Sequence, residues 1–208
     1  GLGAMGSGMA GSLRRAGFDT AVFDIRTEVA QAFAKEGGTA CASLAELGAR
    51  CDVIVSVVVN AAQTESVLFG ADGCAASMKR GSVFVMCSTV DPNWSIALEA
   101  RLAALGILYI DAPISGGAAK AASGQMTMMT AASSEAYAKA GDMLDAMAAK
   151  VYRLGDKAGA GSKVKIINQL LAGVHIAAAA EAMALGLREG VDADALYEVI
   201  THSAGNSW

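Results

Sequence analysis

The stretch GLGAMGSGMAGSLRRAGFDTAVFD, residues 1–24, decides the fold of this 208-residue chain. Its first six residues follow the pattern G-x-G-x-x-G and lead into residues 4–16, whose apolar side chains recur at the three- and four-residue spacing of a helix. A run rich in β-branched and aromatic residues, 20–23, follows and ends at Asp24. A glycine turn, a helix and a strand in this order predict a unit of parallel α/β structure.

The same alternation continues over the first three quarters of the chain. The predicted strands are residues 20–23, 52–59, 82–87, 108–111, 125–130 and 151–153. The predicted helices between them are residues 4–16, 27–35, 43–47, 94–105 and 134–148. The run 52–59 is almost wholly apolar, as in a strand covered on both faces. The chain is therefore predicted to form a Rossmann-like, doubly wound, mostly parallel α/β sheet.

The pattern changes near Gly155, where a glycine-rich piece, residues 155–161, gives way to a long helical pattern. Gly190 is predicted to end this helix, and Asp192 is predicted to cap a second helix that reaches Thr201. We predict a sheet domain over residues 1–156 and the start of an all-helical domain over residues 157–208. Two helices can hardly close a core by themselves. The helical part is therefore expected to pack on the sheet domain, on further chain or on another subunit.

The most apolar stretch, residues 166–187, is long enough to cross a bilayer. Polar side chains nevertheless interrupt it at several angles around the helix, at Asn168, Gln169, His175 and Glu181. We therefore predict a buried or subunit-interface helix and no membrane partner. An apolar helix of this kind favours a homodimer or homotetramer.

The composition excludes several function classes. A net charge of −4, a pI near 5.2 and scattered Lys and Arg leave no basic surface for a nucleic acid. The four cysteines, Cys41, Cys51, Cys74 and Cys87, form no C-x-x-C pair and have no nearby histidine, so no metal site is expected. Reduced thiols in a cytoplasmic protein are the simplest interpretation.

The glycine pattern of residues 1–6 suits a dinucleotide. Its first glycine makes the turn, the second lets the backbone approach a pyrophosphate, and the third allows helix and strand to pack closely. Asp24 stands where a carboxylate accepts both ribose hydroxyls of NAD and repels the extra phosphate of NADP. Arg26 could lean over the adenine or tolerate that phosphate, but NAD is predicted as the cofactor in preference to NADP. The predicted loop contacts are Gly1, Leu2, Gly3, Ala4, Met5 and Gly6.

Three further segments follow strands or open the long helix. They are Cys87-Ser-Thr89, Asp111-Ala-Pro-Ile-Ser-Gly-Gly117 and Gly159-Ala-Gly-Ser-Lys-Val-Lys165-Ile-Ile-Asn168-Gln169. The first two are expected in the ligand crevice, because it forms at the carboxyl ends of strands. Ser115 and the two glycines after it present a hydroxyl and successive N–H groups, which suit a carboxylate. Lys165 is followed at three and four positions by amides, so a cation and amides share one helix face.

With these segments in this order, the chain resembles the β-hydroxyacid dehydrogenase family, which includes 3-hydroxyisobutyrate dehydrogenase, tartronate semialdehyde reductase and L-threonate dehydrogenase. The resemblance covers essentially the whole chain and includes D-A-P-I-S-G-G and G-x-G-x-x-x-K-x-x-N. It implies that Lys165 is the catalytic residue. It implies substrate contacts at Ser115, Gly116, Gly117, Asn168 and the adjacent Gln169, and cofactor contacts at Val58, Val59, Gln63 and Thr89. It also implies a strand before Gly1 and more helices after Trp208.

Some features depart from the family or separate it from relatives. Some members have a second asparagine where Gln169 stands, and a glycine that often follows S-G-G is replaced within Ala118-Ala119-Lys120. The segment I-I-N-Q after Lys165 lacks the histidine motif of 6-phosphogluconate dehydrogenase, and imine reductases usually replace the lysine. The alternative from another class is a non-catalytic NAD sensor or assembly module of the same fold.

The expected reaction is oxidation of a small non-phosphorylated hydroxy acid to a keto acid or semialdehyde by hydride transfer to NAD. Lys165, partly desolvated, can have its pKa lowered toward neutrality and act as general acid and base. The sequence leaves the substrate open among acids of the 3-hydroxyisobutyrate, L-threonate and glycerate types. It also leaves open whether C2 or C3 is oxidised.

Overall fold

A computed structural model describes residues 1–207 of the chain. These residues form eight strands: β1 (Ala21–Val22), β2 (Thr39–Ala40), β3 (Val53–Ser56), β4 (Val83–Met86), β5 (Leu108–Asp111), β6 (Ile114–Ser115), β7 (Met126–Ala132) and β8 (Ala148–Arg153). The same residues form nine helices: α1 (Gly6–Arg15), α2 (Thr27–Lys35), α3 (Leu44–Arg50), α4 (Ala61–Phe69), α5 (Pro92–Ala104), α6 (Gly117–Ala122), α7 (Ser134–Met147), α8 (Ala160–Arg188) and α9 (Ala193–Thr201).

The larger sheet has the strand order β3-β4-β5-β7-β6, and β8 pairs with β7. Strands β3, β4 and β5 are parallel, and their register aligns Ser56, Met86 and Asp111 at the carboxyl ends. Strand β7 is antiparallel to β5 and β6 and parallel to β8. Strands β1 and β2 form a separate parallel pair. The predicted Rossmann-like, mostly parallel α/β fold is therefore confirmed.

The larger sheet is covered on both faces, which is why β4 is apolar at every position. Alternate side chains of a strand point to opposite faces. Val83 and Val85 belong to one apolar cluster with α1 and α7, whereas Phe84 and Met86 belong to another with α5. All four are fully buried. Burial on both sides explains the unbroken apolar run that indicated a central parallel strand.

Polar caps set the start of several helices. Side chains that precede the helix accept hydrogen bonds from its first backbone N–H groups at Ser43, Asn60, Asp91, Ser133 and Asp192. The cap of α9 by Asp192 was predicted. The predicted end of the long helix at Gly190 is also observed, because α8 ends at Arg188 and Gly190 has a φ of 79°.

Four short elements were not predicted: β2, α4, β6 and α6. Strands β2 and β6 have only two residues each and, unlike β1, lie in no longer run of strand-forming residues. The predicted strand 52–59 was too long, because β3 ends at Ser56 and the apolar residues after it form a loop. That loop leads to Asn60, whose side chain accepts a hydrogen bond from the N–H of Gln63 at 2.9 Å and starts α4.

The chain forms two compact units, Gly1–Lys165 and a second that begins at Ile166. Helix α8 contributes residues to both units. The first unit contains all the strands of the described residues, and the second contains most of α8 and all of α9. The predicted domain boundary between residues 156 and 157 stays a prediction.

Helix α8 is long and apolar enough to cross a membrane by length and composition alone, with a mean hydropathy of 1.7 in its most apolar window. A single helix of this kind is weak evidence for a membrane span, because core helices of other proteins satisfy the same test. No part of that window is buried against residues 1–207. Burial of this window against residues 1–207 is therefore not observed, and the predicted subunit interface stays a prediction.

Candidate active site

The glycine loop, residues 1–6, leaves no room for side chains at two of its glycines. A Cβ atom on Gly6 would collide with the carbonyl oxygen of Gly1, and one on Gly1 would lie 2.7 Å from the carbonyl oxygen of Val57. Gly3 differs, because a Cβ atom there would meet no atom of the described residues within 4 Å. The loop thus packs tightly beyond the end of β3, while Gly3 borders open space of the kind a pyrophosphate needs.

Asp24 follows β1 and holds the glycine loop. Its Oδ2 atom accepts a hydrogen bond from the backbone N–H of Leu2 at 2.6 Å, and its Oδ1 atom accepts from the backbone N–H of Arg26 at 2.9 Å. The Nε of Arg26 lies 3.3 Å from the same Oδ1 atom. Burial acts to raise the pKa of Asp24, but these hydrogen bonds outweigh it and lower that pKa. Asp24 therefore stays a carboxylate, with a half-exposed guanidinium beside it.

A cavity of about 450 Å³ adjoins the loop and the end of β3. Most of the predicted cofactor residues line it: Gly1, Leu2, Gly3, Gly6, Asp24, Arg26, Val58, Val59 and Gln63. Ala4, Met5 and Thr89 are not among the described residues that line this cavity. The fold thus brings most of the predicted set to one place, and the cofactor contacts themselves stay a prediction.

Buried hydroxyl groups lie in the lining of this cavity and next to it, because Ser56 lines the cavity and Ser88 contacts the lining residue Val58. The hydroxyl of Ser88 donates a hydrogen bond to the carbonyl oxygen of Val58 at 2.8 Å, and its oxygen lies 3.1 Å from the Thr64 hydroxyl oxygen. Ser56 is buried, and its hydroxyl has no hydrogen-bond partner among residues 1–207. These contacts connect the ends of β3 and β4 to α4. The sequence placed the segment 87–89 in the ligand crevice, but the partners of Ser88 could not be predicted because they are distant in the chain.

The predicted acid-binding segment leaves the sheet at the end of β5. Ser115 is partly buried and pairs with Thr127 of β7. Gly116 and Gly117 are exposed and have φ values of 138° and 74°. Only glycine adopts such angles without strain. The backbone path after Ser115 therefore depends on both glycines, and contacts of these three residues with a substrate stay a prediction.

Lys165 lies in the second turn of α8 and is only 6% exposed. Burial lowers the pKa of its ammonium group. Lys163, two residues earlier, is exposed, as expected for a solvated lysine. A buried lysine with a lowered pKa is suited to proton transfer.

The start of α8 is held by Asp111, the last residue of β5. Its Oδ2 atom accepts hydrogen bonds from the backbone N–H groups of Gly159 and Ser162 at 2.8 and 3.0 Å. Its Oδ1 atom accepts one from the Ser162 hydroxyl at 2.6 Å. Asp111 and Ser162 are both fully buried. The helix that contains Lys165 is thereby attached to the sheet edge from which the Ser115 segment emerges.

Asn168 and Gln169 lie on α8 after Lys165 but belong to the second unit. Asn168 is partly buried and Gln169 is exposed. Helix geometry places residues three and four positions apart on one face, as the sequence indicated. Their contact with a substrate stays a prediction.

All four cysteines are free thiols, of which Cys41, Cys74 and Cys87 are buried and Cys51 is partly buried. Cys87, just after β4, is buried, and burial raises the pKa of its thiol to about 12. It therefore stays protonated and is a poor nucleophile. Within residues 1–207, no three His, Cys, Asp or Glu side chains form a group that could hold a metal ion.

Comparison with known proteins adds independent findings. Residues 1–155 match the family model of the NAD binding domain of 6-phosphogluconate dehydrogenase. Residues 159–208 match the model described as the NAD-binding part of NADP-dependent 3-hydroxyisobutyrate dehydrogenase. An L-threonate dehydrogenase from Cupriavidus necator is 67% identical over 208 residues, which are all of this chain and 70% of that protein.

Less similar relatives also match the whole length of this chain. A 3-hydroxyisobutyrate dehydrogenase from Pseudomonas aeruginosa is 33% identical over the whole chain and 70% of its own length. The crystal structure of a 3-hydroxyisobutyrate dehydrogenase from Salmonella typhimurium matches with a TM-score of 0.95 and 50% identity, covering 100% of this chain and 73% of that one. These matches confirm the resemblance inferred from the motifs. The chain belongs to the β-hydroxyacid dehydrogenase family and is an NAD-binding oxidoreductase that acts on a CH–OH group.

Proposed function

We propose that the protein oxidises a small, non-phosphorylated hydroxy acid by hydride transfer to NAD, with Lys165 as the general acid and base. The observation that supports this most is the burial of Lys165 in a helix anchored at the carboxyl edge of the sheet. Ligands of doubly wound sheets bind at that edge. The alternative, an NAD sensor of the same fold, has no need of a buried lysine there.

In this mechanism NAD, when bound, supplies the hydride acceptor. Lys165 in its neutral form takes the hydroxyl proton as the C–H bond breaks and the carbonyl forms. In the reverse direction its ammonium group returns the proton to the oxygen. The positive charge gained by Lys165 stabilises a developing alkoxide, because a buried charge is weakly screened.

L-Threonate is the first substrate candidate, because the relative that is 67% identical is named L-threonate dehydrogenase. Ser115, Gly116 and Gly117 would bind the carboxylate through the serine hydroxyl and backbone N–H groups. Asn168 and Gln169 would orient the hydroxyl groups of the substrate. Acids of the 3-hydroxyisobutyrate and glycerate types are the competing candidates.

The chain's own residues fit NAD better than NADP. Asp24 lies at the cavity as a carboxylate, which accepts ribose hydroxyls and repels an added phosphate. The side chain of Arg26 is 55% exposed and could approach such a phosphate, but it lies against Asp24. Gly3 leaves the open space that a pyrophosphate requires.

The first experiment measures NADH formation from NAD, and NADPH formation from NADP, with L-threonate, D-threonate, D-glycerate and 3-hydroxyisobutyrate. We expect turnover of L-threonate with NAD. Turnover of another acid would replace the substrate and keep the reaction. Binding of NAD without turnover of any acid would favour the sensor.

Substitution of the lysine tests the mechanism. Lys165→Ala is expected to lower kcat about 10²- to 10⁴-fold while the Kd for NAD stays unchanged, because only proton transfer is lost. Lys163→Ala, at an exposed lysine of the same helix, is the matched control and should keep full activity. In the parent enzyme, kcat/KM for oxidation should rise with pH and level off above a pKa below that of an ordinary lysine, since the neutral amine is the base. Full activity of Lys165→Ala would refute the role.

We also propose that the protein is a homodimer or homotetramer in the cytoplasm. Large apolar side chains are exposed on α8 and α9, among them Ile167, Leu170, Leu171, Val174, Ile176, Tyr197 and Val199. An apolar surface of this extent favours association between copies. Sedimentation velocity at micromolar concentration tests the proposal, and a monomer would refute it.

A further inference from the structure

We propose that Asp111 is a positioning residue that places Lys165 at the substrate and keeps this lysine away from water. The inference rests on the proposed function, because the position of Lys165 matters for turnover only if it transfers the proton. The contacts at the start of α8 support it.

Asp111 has a fixed position in the larger sheet. Its backbone is paired on both sides, with Met86 of β4 and Ala131 of β7. The residue is fully buried in the middle of the sheet. A carboxylate attached to such a rigid element is a fixed point to which a helix can be anchored.

The side chain of Asp111 caps the start of α8. The first N–H groups of a helix have no partner within the helix and concentrate its positive dipole. Asp111 accepts hydrogen bonds from two N–H groups here, those of Gly159 and Ser162, and from the Ser162 hydroxyl. Gly159 has a φ of 98°, which only glycine adopts readily and which forms the turn into α8. One buried side chain thus holds both the turn and the first helical residues.

A close backbone contact at Gly161 prevents α8 from shifting along the sheet. A Cβ atom on Gly161 would overlap the carbonyl oxygen of Met129 and lie 3.0 Å from that of Asp111. The first turn of α8 therefore lies directly on β5 and β7. Side-chain hydrogen bonds and backbone contact together determine the direction and height of the helix.

The consequence for chemistry follows from the helix repeat. Lys165 is three residues after Ser162, which is about one helical turn, so the anchored first turn of α8 determines where Lys165 lies. Lys165 is buried, whereas the neighbouring Lys163 and Val164 are exposed. The backbone of Asp111 also continues directly into the segment that ends with Ser115, Gly116 and Gly117. A single residue therefore joins the base to the segment proposed to bind the acid.

The test compares Asp111→Asn and Ser162→Ala with the parent enzyme, and uses Asp192→Asn as a matched control. Asp192 is also an N-terminal helix cap but serves α9. Hydrogen exchange reports protection of residues 159–165. Competitive acetylation at a series of pH values, followed by mass spectrometry, measures the pKa of Lys165 without any substrate. Steady-state kinetics measures kcat and KM.

We expect Ser162→Ala to raise the pKa of Lys165 toward its ordinary value, because water reaches a loosened helix start while the Asp111 charge is kept. The kcat of Ser162→Ala should fall about tenfold and the kcat of Asp111→Asn about 100-fold. A displacement of a catalytic group by about 1 Å can lower the rate to this extent. Exchange at residues 159–165 should accelerate in both variants, and the Kd for NAD should stay unchanged. Asp192→Asn should leave all four quantities at parent values.

Two outcomes would overturn the proposal. One is unchanged exchange in both variants, which would show that the contacts do not hold the helix. The other is faster exchange with parent values of kcat and Lys165 pKa, which would reduce Asp111 to a structural cap. Ser162→Ala keeps both backbone contacts to Asp111 and so tests the idea if Asp111→Asn does not fold. Exchange and acetylation need no turnover, so a failure of the proposed function would be recognised separately.

Discussion

The ends of β1 and β5 each present an aspartate to a backbone turn, yet the two sites differ in kind. Asp24 accepts N–H groups of Leu2 and Arg26, beside a cavity and a half-exposed guanidinium. Asp111 accepts N–H groups of Gly159 and Ser162 and is completely enclosed. A carboxylate after a strand can therefore face a ligand only where the neighbouring loop leaves space. Where the loop closes over it, the same group becomes part of the scaffold.

The largest expected difference between the two sites is in stability. Asp111→Ala leaves two buried N–H groups without an acceptor, and each costs about 1–3 kcal/mol. We expect a loss of about 3–5 kcal/mol in the free energy of unfolding by urea, against about 1–2 kcal/mol for Asp24→Ala, because one of its two backbone partners belongs to the exposed residue Arg26. Equal losses would mean that enclosure does not distinguish the two carboxylates.

The second prediction concerns the cofactor. Asp24→Ala should weaken NAD binding about 10- to 100-fold, because hydrogen bonds from ribose hydroxyls to a charged acceptor are lost. NADP should lose less affinity, since the repulsion of its phosphate is also removed. Isothermal titration calorimetry measures both constants, with Lys163→Ala as an unaffected reference. If NAD and NADP weakened equally, Asp24 would act only through the glycine loop.

Two glycines of the loop beside Asp24 are expected to differ in role, since Gly3 borders the space for the cofactor and Gly6 is needed for packing. Gly3→Ala should leave the thermal midpoint unchanged but weaken NAD binding about tenfold, because its Cβ enters space free of described protein atoms. Gly6→Ala should lower the midpoint, because its Cβ meets the carbonyl oxygen of Gly1. Thermal unfolding with and without NAD measures both. If Gly3→Ala lowered the thermal midpoint without weakening NAD binding, and Gly6→Ala did the opposite, the space for the pyrophosphate would not lie at Gly3.

The smallest effect is expected in acid. The pKa of Asp24 is lowered in the folded protein, so its contribution to stability is complete above the unfolded value, near 3.9, and is lost as pH falls through the folded value. The urea midpoint of Asp24→Asn should therefore approach that of the parent as pH falls below about 4. A gap that stays constant down to pH 2.5 would contradict this.

Much of the fold and part of the candidate site could be predicted from local pattern. The strand β5 was predicted with its observed bounds, and the glycine loop and Asp24 were recognised as one constellation. The two-residue strands β2 and β6 could not be predicted because, unlike β1, neither lies in a longer run of strand-forming residues. The contacts of Ser88 with Val58 and Thr64 likewise span 24 to 30 residues of sequence.

The sequence by itself determined the class of fold, the dinucleotide loop and the family, because periodicity and short motifs record local geometry and backbone chemistry. The sequence also indicated Lys165 as the desolvated lysine, but only the tertiary structure decided which aspartate is enclosed and what anchors the helix of Lys165. Lys163 and Lys165 have similar sequence surroundings, but α8 buries the second of them. Asp111 meets Ser162 across 51 residues of chain. The enclosure of Asp111 depends on contacts between distant segments, so no local pattern could have supplied it.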